Sequence, residues 1–278
     1  MGALLALASA ACYGVVDFAG GLLSRRMHFA VVTFLGQVGG LLLALAMALL
    51  VPAEAVRSAD VLWGALSGVG SGVAMHFLNR GLSRGAMSVV VPVSAVTGVA
   101  LSVLCGVCFL GDRPTPLAWL GIGVTVPALW CVSGGGARRG AGTARATVDG
   151  LLASSGVAVQ YIGLAQAAPG SGVWPVAAGR VAAVVLLLPS AWRHRTQFRQ
   201  PARPLAQALV IGAGAALGLA LYLWAAQQQM LALAVVLASL YPAIPTVLGL
   251  ALLGERVSPR QVAGLLSAAG AVVLLTLG

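Results

Sequence analysis

Charged residues are scarce in this chain, and lysine is missing altogether. Only 8% of its 278 residues are charged and 60% are hydrophobic, whereas about a quarter of the residues of a soluble domain are charged. All 16 basic residues are arginine. Without lysine the chain can hold neither a P-loop of the G-x-x-x-x-G-K-[ST] type nor a Schiff-base lysine. The composition therefore predicts an all-α integral membrane protein with no P-loop nucleotide site of its own.

Motifs for catalysis and metal binding are missing as well. The sequence has no H-E-x-x-H or G-x-S-x-G motif, and Asp17 is the one acid deep within an apolar segment. The four cysteines lie in apolar runs, which is typical of packing residues, and no histidine lies near the Cys105–Cys108 pair. We therefore expect no catalytic residue, no metal site and no cofactor.

Long apolar runs make up most of the chain. Each is long enough to cross a hydrocarbon core of about 30 Å, and the gaps between them are short with one exception. The sequence predicts ten transmembrane helices, at about 3–23, 29–51, 61–79, 86–110, 116–133, 150–168, 173–192, 205–226, 230–253 and 259–277.

The exceptional gap, 134–149, is rich in glycine and arginine and lies near the middle of the sequence. It predicts a flexible linker between a first five-helix half, residues 1–133, and a second five-helix half, residues 150–278.

The two halves resemble each other in sequence. Leu110-Gly111-Asp112-Arg113 matches Leu253-Gly254-Glu255-Arg256 at an offset of 143 residues. Matches at the same offset also join Gly106 to Gly249, Pro116 to Pro259 and Gly121 to Gly264. Spaced identities of this kind indicate an internal duplication.

The duplicated halves are expected to have opposite orientations in the membrane. Five helices is an odd number, so the second half enters the membrane upside down. The arginines agree, since thirteen of them fall in gaps on one predicted side and two, Arg57 and Arg113, on the other. The net charge of +10 is therefore interpreted as a topology signal, not as a nucleic-acid surface. Inverted repeats are typical of secondary transporters, with a substrate site near the midplane between the halves.

Ten helices in two repeats, each with Leu-Gly-acid-Arg after its fourth helix, resemble EamA-type members of the drug/metabolite transporter superfamily. The second repeat carries the pattern best, in Ser239-Leu240-Tyr241-Pro242, the tetrad 253–256 and Gly264. The first repeat departs from it, with Asp112 in place of glutamate and Val99 in place of the proline. The resemblance implies a gradient-driven carrier of small metabolites or drugs, with both termini in the cytoplasm. The positive-inside rule predicts both termini outside, so the orientation stays open.

Polar residues within the apolar segments are candidates for lining a central cavity, because burying them in a membrane is costly. Asp17 could bind a proton or a cationic amine, or could pair with Arg25 or Arg26. His76 could carry a proton or be a packing residue. Arg180 could pair with a substrate carboxylate, or snorkel. Its equivalent at offset 143 is Gln37, which favours both as cavity residues. Three further candidates are Gln160, Tyr161 and Tyr222.

Other residues are interpreted as structural. Pro242 and Pro245 predict a bend or hinge in the ninth helix. The tetrads, with Gly111 and Asp112 in one and Gly254 and Glu255 in the other, are expected to end helices and to pair charges at the surface. Gly64, Gly68 and Gly72 recur every four residues, a spacing that favours close helix packing.

The function predicted from the sequence is secondary transport of a small metabolite, such as an amino acid or drug-like molecule, by alternating access in a bacterial plasma membrane. Export is favoured, with protons as a possible coupling ion, membrane lipids as surroundings and a monomer or homodimer as the assembly. The alternatives are a lipid or lipid-linked-sugar flippase, an intramembrane enzyme, and a purely structural membrane protein. The sequence leaves open the substrate, the direction of transport and the coupling ion.

Overall fold

The computed structural model describes residues 2–105, 108, 115–132, 141–228, 241–255 and 257–277, and in these ranges every regular element is helical. The α-helices are α1 (Gly2–Arg26), α2 (Phe29–Leu50), α3 (Ser58–Arg84), α4 (Met87–Cys105), α5 (Pro116–Val132), α6 (Ala141–Ala165), α7 (Trp174–Arg193), α8 (Ala202–Gln228), α9 (Ala243–Leu252) and α10 (Pro259–Leu277). Two short 3₁₀ turns, Pro169–Ser171 and Arg195–Phe198, flank α7.

Five of these helices, α1, α2, α3, α7 and α8, are long and apolar enough to cross a membrane. Shorter apolar stretches lie in α4, α5, α9 and α10. With a core of about 30 Å to cross and about 1.5 Å of rise per residue, these lengths make the chain a multi-pass membrane protein.

Two predicted segment boundaries are wrong. Helix α6 begins at Ala141, so residues 141–149, which were predicted to belong to the linker, are helical. An ion pair lies within this stretch: Asp149, buried in α6, accepts hydrogen bonds from Arg80 at 2.6 Å and from Arg84 at 3.2 Å. These contacts hold the first turns of α6 against the end of α3, which itself extends to Arg84 rather than ending near residue 79.

The structure describes the ninth segment only from residue 241 onward. The described helix α9 begins at Ala243, with Pro242 immediately before it and Pro245 in its first turn. Proline is tolerated in a first turn, where the missing N–H has no intrahelical partner. The two prolines therefore mark the start of the described helix α9, and because residues 229–240 lie outside the described residues, the bend or hinge expected at these prolines stays a prediction.

Helix pairing follows a two-fold pattern. Helix α3 packs against α6 and α7, and α8 packs against α1 and α2. Helix α4 packs against α6, α9 packs against α1, and α5 packs against α10. Exchanging α1–α5 with α6–α10 turns this set of contacts into itself, so most of the packing joins one half of the chain to the other.

Glycines allow the closest of these contacts. Along α3 and α7, Gly64 meets Pro175 and Gly68 meets Gly179, so the two helices run parallel. The equivalent contact between α2 and α8 brings Gly212 against the carbonyl oxygen of Gly36. A Cβ on Gly68 or Gly212 would overlap the facing backbone, and small residues are what let membrane helices approach this closely.

Candidate functional site

A buried hydrogen bond joins the two halves where α2 packs against α7. The Arg180 Nη1 atom donates to the Gln37 Oε1 atom at 2.7 Å. Arg180 is 6% exposed and Gln37 is 2% exposed. The two residues are 143 positions apart, which is the repeat offset. Because equivalent residues touch each other only at a two-fold axis, this bond marks the point where that axis passes between the halves.

Polar groups surround this bond, and they come from both halves. A small cavity of about 10 Å³ lies beside it, with Ser67 and Ser71 of α3, Gln160 of α6 and Arg180 among its lining residues. The Ser67 hydroxyl donates to the carbonyl oxygen of Gln160 at 2.9 Å. Tyr13 of α1 interacts electrostatically with Arg180. The interior around Arg180 is thus polar but almost filled.

Arg180 has no acidic partner among the residues that the structure describes. A guanidinium carries five N–H donors and stays charged. A charge without a counter-ion inside a membrane protein is costly and in general marks a functional site. An anionic group could supply the missing counter-charge, but the space of about 10 Å³ beside Arg180 is too small for one in this conformation.

Asp17 is a second buried ionisable side chain. It is 7% exposed and forms no hydrogen bond or ion pair with any described residue. The alternative partner Arg25 is instead paired with Glu255 at 3.3 Å. One helical turn from Asp17, Gly14 packs against Ile244 of α9, and Gly20 lies 3.5 Å, measured from its ideal Cβ, from the Asn79 side chain of α3. Asp17 therefore belongs to the face of α1 that is turned toward the other helices.

Sequence reasoning missed several polar and aromatic residues of this interior. The Asn79 amide donates to the Thr33 hydroxyl at 3.0 Å, and both residues are buried. The rings of Tyr13 and Tyr241 lie 6.0 Å apart. The repeat offset held a signal for one of them, because Asn79 is the equivalent of the predicted residue Tyr222.

The remaining candidates are scattered. His76 packs between the rings of Phe29 and Phe77, toward the end of the molecule where Arg80 and Asp149 pair, and not beside Arg180. Tyr222 is half-buried against the apolar cluster that contains Leu219 and Val176. Tyr161 lies on α6, but its side chain is outside the described residues.

Charges gather at one end of the molecule, which we call the arginine-rich end: it comprises the ends of α1, α3 and α7, the starts of α6 and α8, and the loop between α9 and α10. There the Glu255 carboxylate accepts hydrogen bonds from the backbone N–H groups of Met87 at 2.9 Å and Ser88 at 3.0 Å. Arg25 donates to Glu255 and also to the Gly85 carbonyl oxygen at 2.8 Å. Glu255 thus caps the first turn of α4.

Burial alone would raise the pKa of Glu255, but the bonds from Ser88, Met87 and Arg25 outweigh it and lower that pKa. Gly254 precedes Glu255 with a φ of 62°, a conformation that glycine adopts without strain. The corresponding residues of the first half, Gly111 and Asp112, lie outside the described residues.

The described part of the chain holds no group of three or more His, Cys, Asp or Glu side chains placed to bind a metal ion.

Comparisons with known proteins identify a family and a shared fold. The model of the EamA-like transporter family matches residues 1–134 and 150–277. A solved structure titled only "Crystal structure of protein" has a TM-score of 0.60 at 17% identity, covering 99% of this chain and 96% of that chain, which shows a shared fold. No curated protein matches the chain. Since the family model covers nearly all of both halves, this chain belongs to the EamA-like transporter family, as its paired tetrads predicted.

Proposed function

We propose that the protein is a secondary transporter that moves a small metabolite with an anionic group, such as an amino acid, out of the cell by alternating access. Members of its family are transporters, not enzymes. The observation that carries the proposal is the buried Arg180–Gln37 hydrogen bond at the junction of the halves. In secondary transporters with inverted repeats, the substrate site lies at that junction, near the midplane.

The buried ionisable side chains Arg180 and Asp17 support this substrate class. Among the described residues Arg180 donates one side-chain hydrogen bond, to Gln37, and its guanidinium has further N–H groups that could bind a carboxylate. Asp17 offers an acceptor for a cationic amine or for a proton. An amino acid carries both a carboxylate and an ammonium group, and so matches an interior that buries one basic and one acidic side chain.

The packing supports rocking of one half against the other. The helix contacts of the two halves exchange under the two-fold pattern, and alternating access in inverted-repeat transporters is largely a rigid-body movement of one repeat against the other. The proposed location is a bacterial plasma membrane, with the halves as inverted repeats and with protons as the coupling ion.

The first experiment compares metabolites inside and outside bacteria that express the wild type, Arg180→Gln, Asp17→Asn or Arg260→Gln, or that carry an empty vector. Arg260 is exposed at the start of α10 and serves as the matched control for loss of one positive charge. We expect one compound class to accumulate outside with the wild type and with Arg260→Gln, and to return to the empty-vector level with Arg180→Gln.

Asp17→Asn separates binding from coupling. If Asp17 carries the coupling proton, this variant keeps exchange of the compound across the membrane but loses accumulation driven by a pH gradient. If wild type and empty vector give the same metabolite profile at equal expression, export of a small metabolite is wrong, and uptake or lipid flipping becomes the better reading of the fold.

A further inference from the structure

A groove runs along the outer surface between α1 and α8, with a volume of about 440 Å³. Its walls are mostly apolar, with Leu22 of α1 and Ala206, Val210 and Ile211 of α8, and Gln207 is a polar residue among them. Val210 is 69% exposed, so the groove opens outward along two helices that are long enough to span a membrane. Its apolar part therefore faces lipid chains.

Two arginines stand at one end of this groove. Arg26 is the last residue of α1, Arg203 is the second residue of α8, and both line the groove. Both are exposed, and neither forms a hydrogen bond or ion pair with any described residue. Their neighbour Arg25, in contrast, is held by Glu255 and by two backbone carbonyl groups. The groove thus ends in two positive charges that have no partner within the described protein.

The backbone adds to the positive electrostatic potential at this end of the groove. Helix α8 begins at Ala202, beside Arg203, and the first turn of a helix presents unpaired N–H groups and the positive end of its dipole. A phosphate placed there would meet two guanidinium groups and a helix N-terminus, both of which favour anions. A cleft that is apolar along the bilayer and basic at its end matches a phospholipid with an anionic headgroup.

We propose that the groove between α1 and α8 is a binding site for an anionic phospholipid, with its phosphate between Arg26 and Arg203 and one acyl chain along Leu22 and Val210. This lipid is a resident of the outer surface and is separate from whatever is carried past Arg180. It would hold the end of α1 against the start of α8, which belong to different halves of the chain.

The test measures lipid bound to the purified full-length protein by native mass spectrometry, with phosphatidylglycerol and phosphatidylcholine added in equal amounts. We expect the wild type to prefer phosphatidylglycerol, and the Arg26→Gln/Arg203→Gln double variant to lose about tenfold of that binding. The matched control is Arg193→Gln/Arg199→Gln, which removes two exposed arginines of the arginine-rich end that do not line the groove. It should bind phosphatidylglycerol as the wild type does.

A second pair of variants tests the acyl-chain part without any change of charge. Val210→Phe fills the groove and should weaken binding of phosphatidylglycerol, whereas Val185→Phe, on the 63% exposed surface of α7, should not. Equal loss in both arginine double variants would overturn the proposal, because it would show general charge attraction. Competition by soluble glycerol phosphate at the concentration of the lipid would also overturn it, because the site would then need no acyl chain.

Discussion

The two halves differ at two pairs of repeat-related interior positions, where the ionisable side chain lies on α1 in the first half and on α7 in the second. At the α1 and α6 positions related by the offset of 143, the first half has Asp17 and the second has Gln160. At the α2 and α7 positions the order is reversed, with Gln37 in the first half and Arg180 in the second. At these four positions each half therefore supplies one ionisable side chain and one amide, the first an acid and the second a base.

The scaffold around these residues does not differ in this way. The contact of Gly36 with Gly212 in one pair of helices has its counterpart in the contact of Gly179 with Gly68 in the other. The comparison shows a symmetric packing frame in which a few interior side chains differ between the halves. In the proposed function, the frame rocks and the differing side chains bind the substrate. Variants that restore or move the charges test this division of roles.

The largest expected effect comes from making the α2 and α7 positions alike. Arg180→Gln places an amide on both helices and removes the interior positive charge. Because a hydrogen bond to a charged group contributes about 1.5–3 kcal/mol, we expect transport to fall by about 10- to 100-fold. The measurement is the initial rate of transport in proteoliposomes of the compound identified by metabolite profiling.

The exchange variant Gln37→Arg/Arg180→Gln sharpens the result. It moves the charge to the equivalent position of the first half, which the structure places in direct contact with the original. Transport by the exchange variant should recover above that of Arg180→Gln alone. Equal rates for the two variants, at equal amounts of folded protein, would show that the two sides of the axis are not interchangeable.

The next effect concerns the symmetric frame. Gly212→Ala and Gly68→Ala each push a methyl group into facing backbone, and overpacking of this kind costs about 1–3 kcal/mol. We expect both variants to lower the thermal unfolding temperature in detergent, and by similar amounts, because their contacts are equivalent. Gly270→Ala is the matched control, since a Cβ there meets nothing within 4 Å. If only one of the two variants lowered the unfolding temperature, the two glycine contacts would not be equivalent.

The sequence predicted the helices and the family more easily than the contacts of the candidate site. Apolar runs show the helices, and the repeated tetrads gave the family, because both signals are local in the chain. The offset singled out Gln37 and Arg180, but their hydrogen bond could not be derived from it, since that bond depends on how α2 meets α7. The surroundings of His76 illustrate the same limit, because its aromatic neighbour Phe29 lies on another helix.

The start of α6 was missed for a related reason. Residues 141–149 have the glycine and arginine content of a linker, but Asp149 finds Arg80 and Arg84 on α3. An ion pair between residues 69 positions apart leaves no periodic trace in the sequence. Local composition therefore gave the wrong boundary where a distant contact decides the structure.

The smallest expected effect is at Glu255, which links the halves at the arginine-rich end. Glu255→Gln keeps the shape of the side chain but weakens both the cap on α4 and the contact with Arg25. Because a cap and a charge at a helix N-terminus each contribute about 1 kcal/mol or less, we expect a modest loss of stability at neutral pH. The measurement is the thermal unfolding temperature of wild type and variant between pH 8 and pH 3.

The sign of the pH effect follows from the lowered pKa of Glu255. Its contribution to stability is fully present above the ordinary glutamate pKa of about 4.3 and is lost as the pH falls through the lower folded-state pKa. The unfolding temperatures of wild type and variant should therefore converge in acid.

Burial and the neighbouring His194 also lower the pKa of His28, and this weakens both proteins as the pH falls below about 6.5. Because the histidine contribution is common to wild type and variant, their difference isolates Glu255. A difference that persists unchanged at pH 3 would mean that the effect of the variant does not depend on the charge of Glu255.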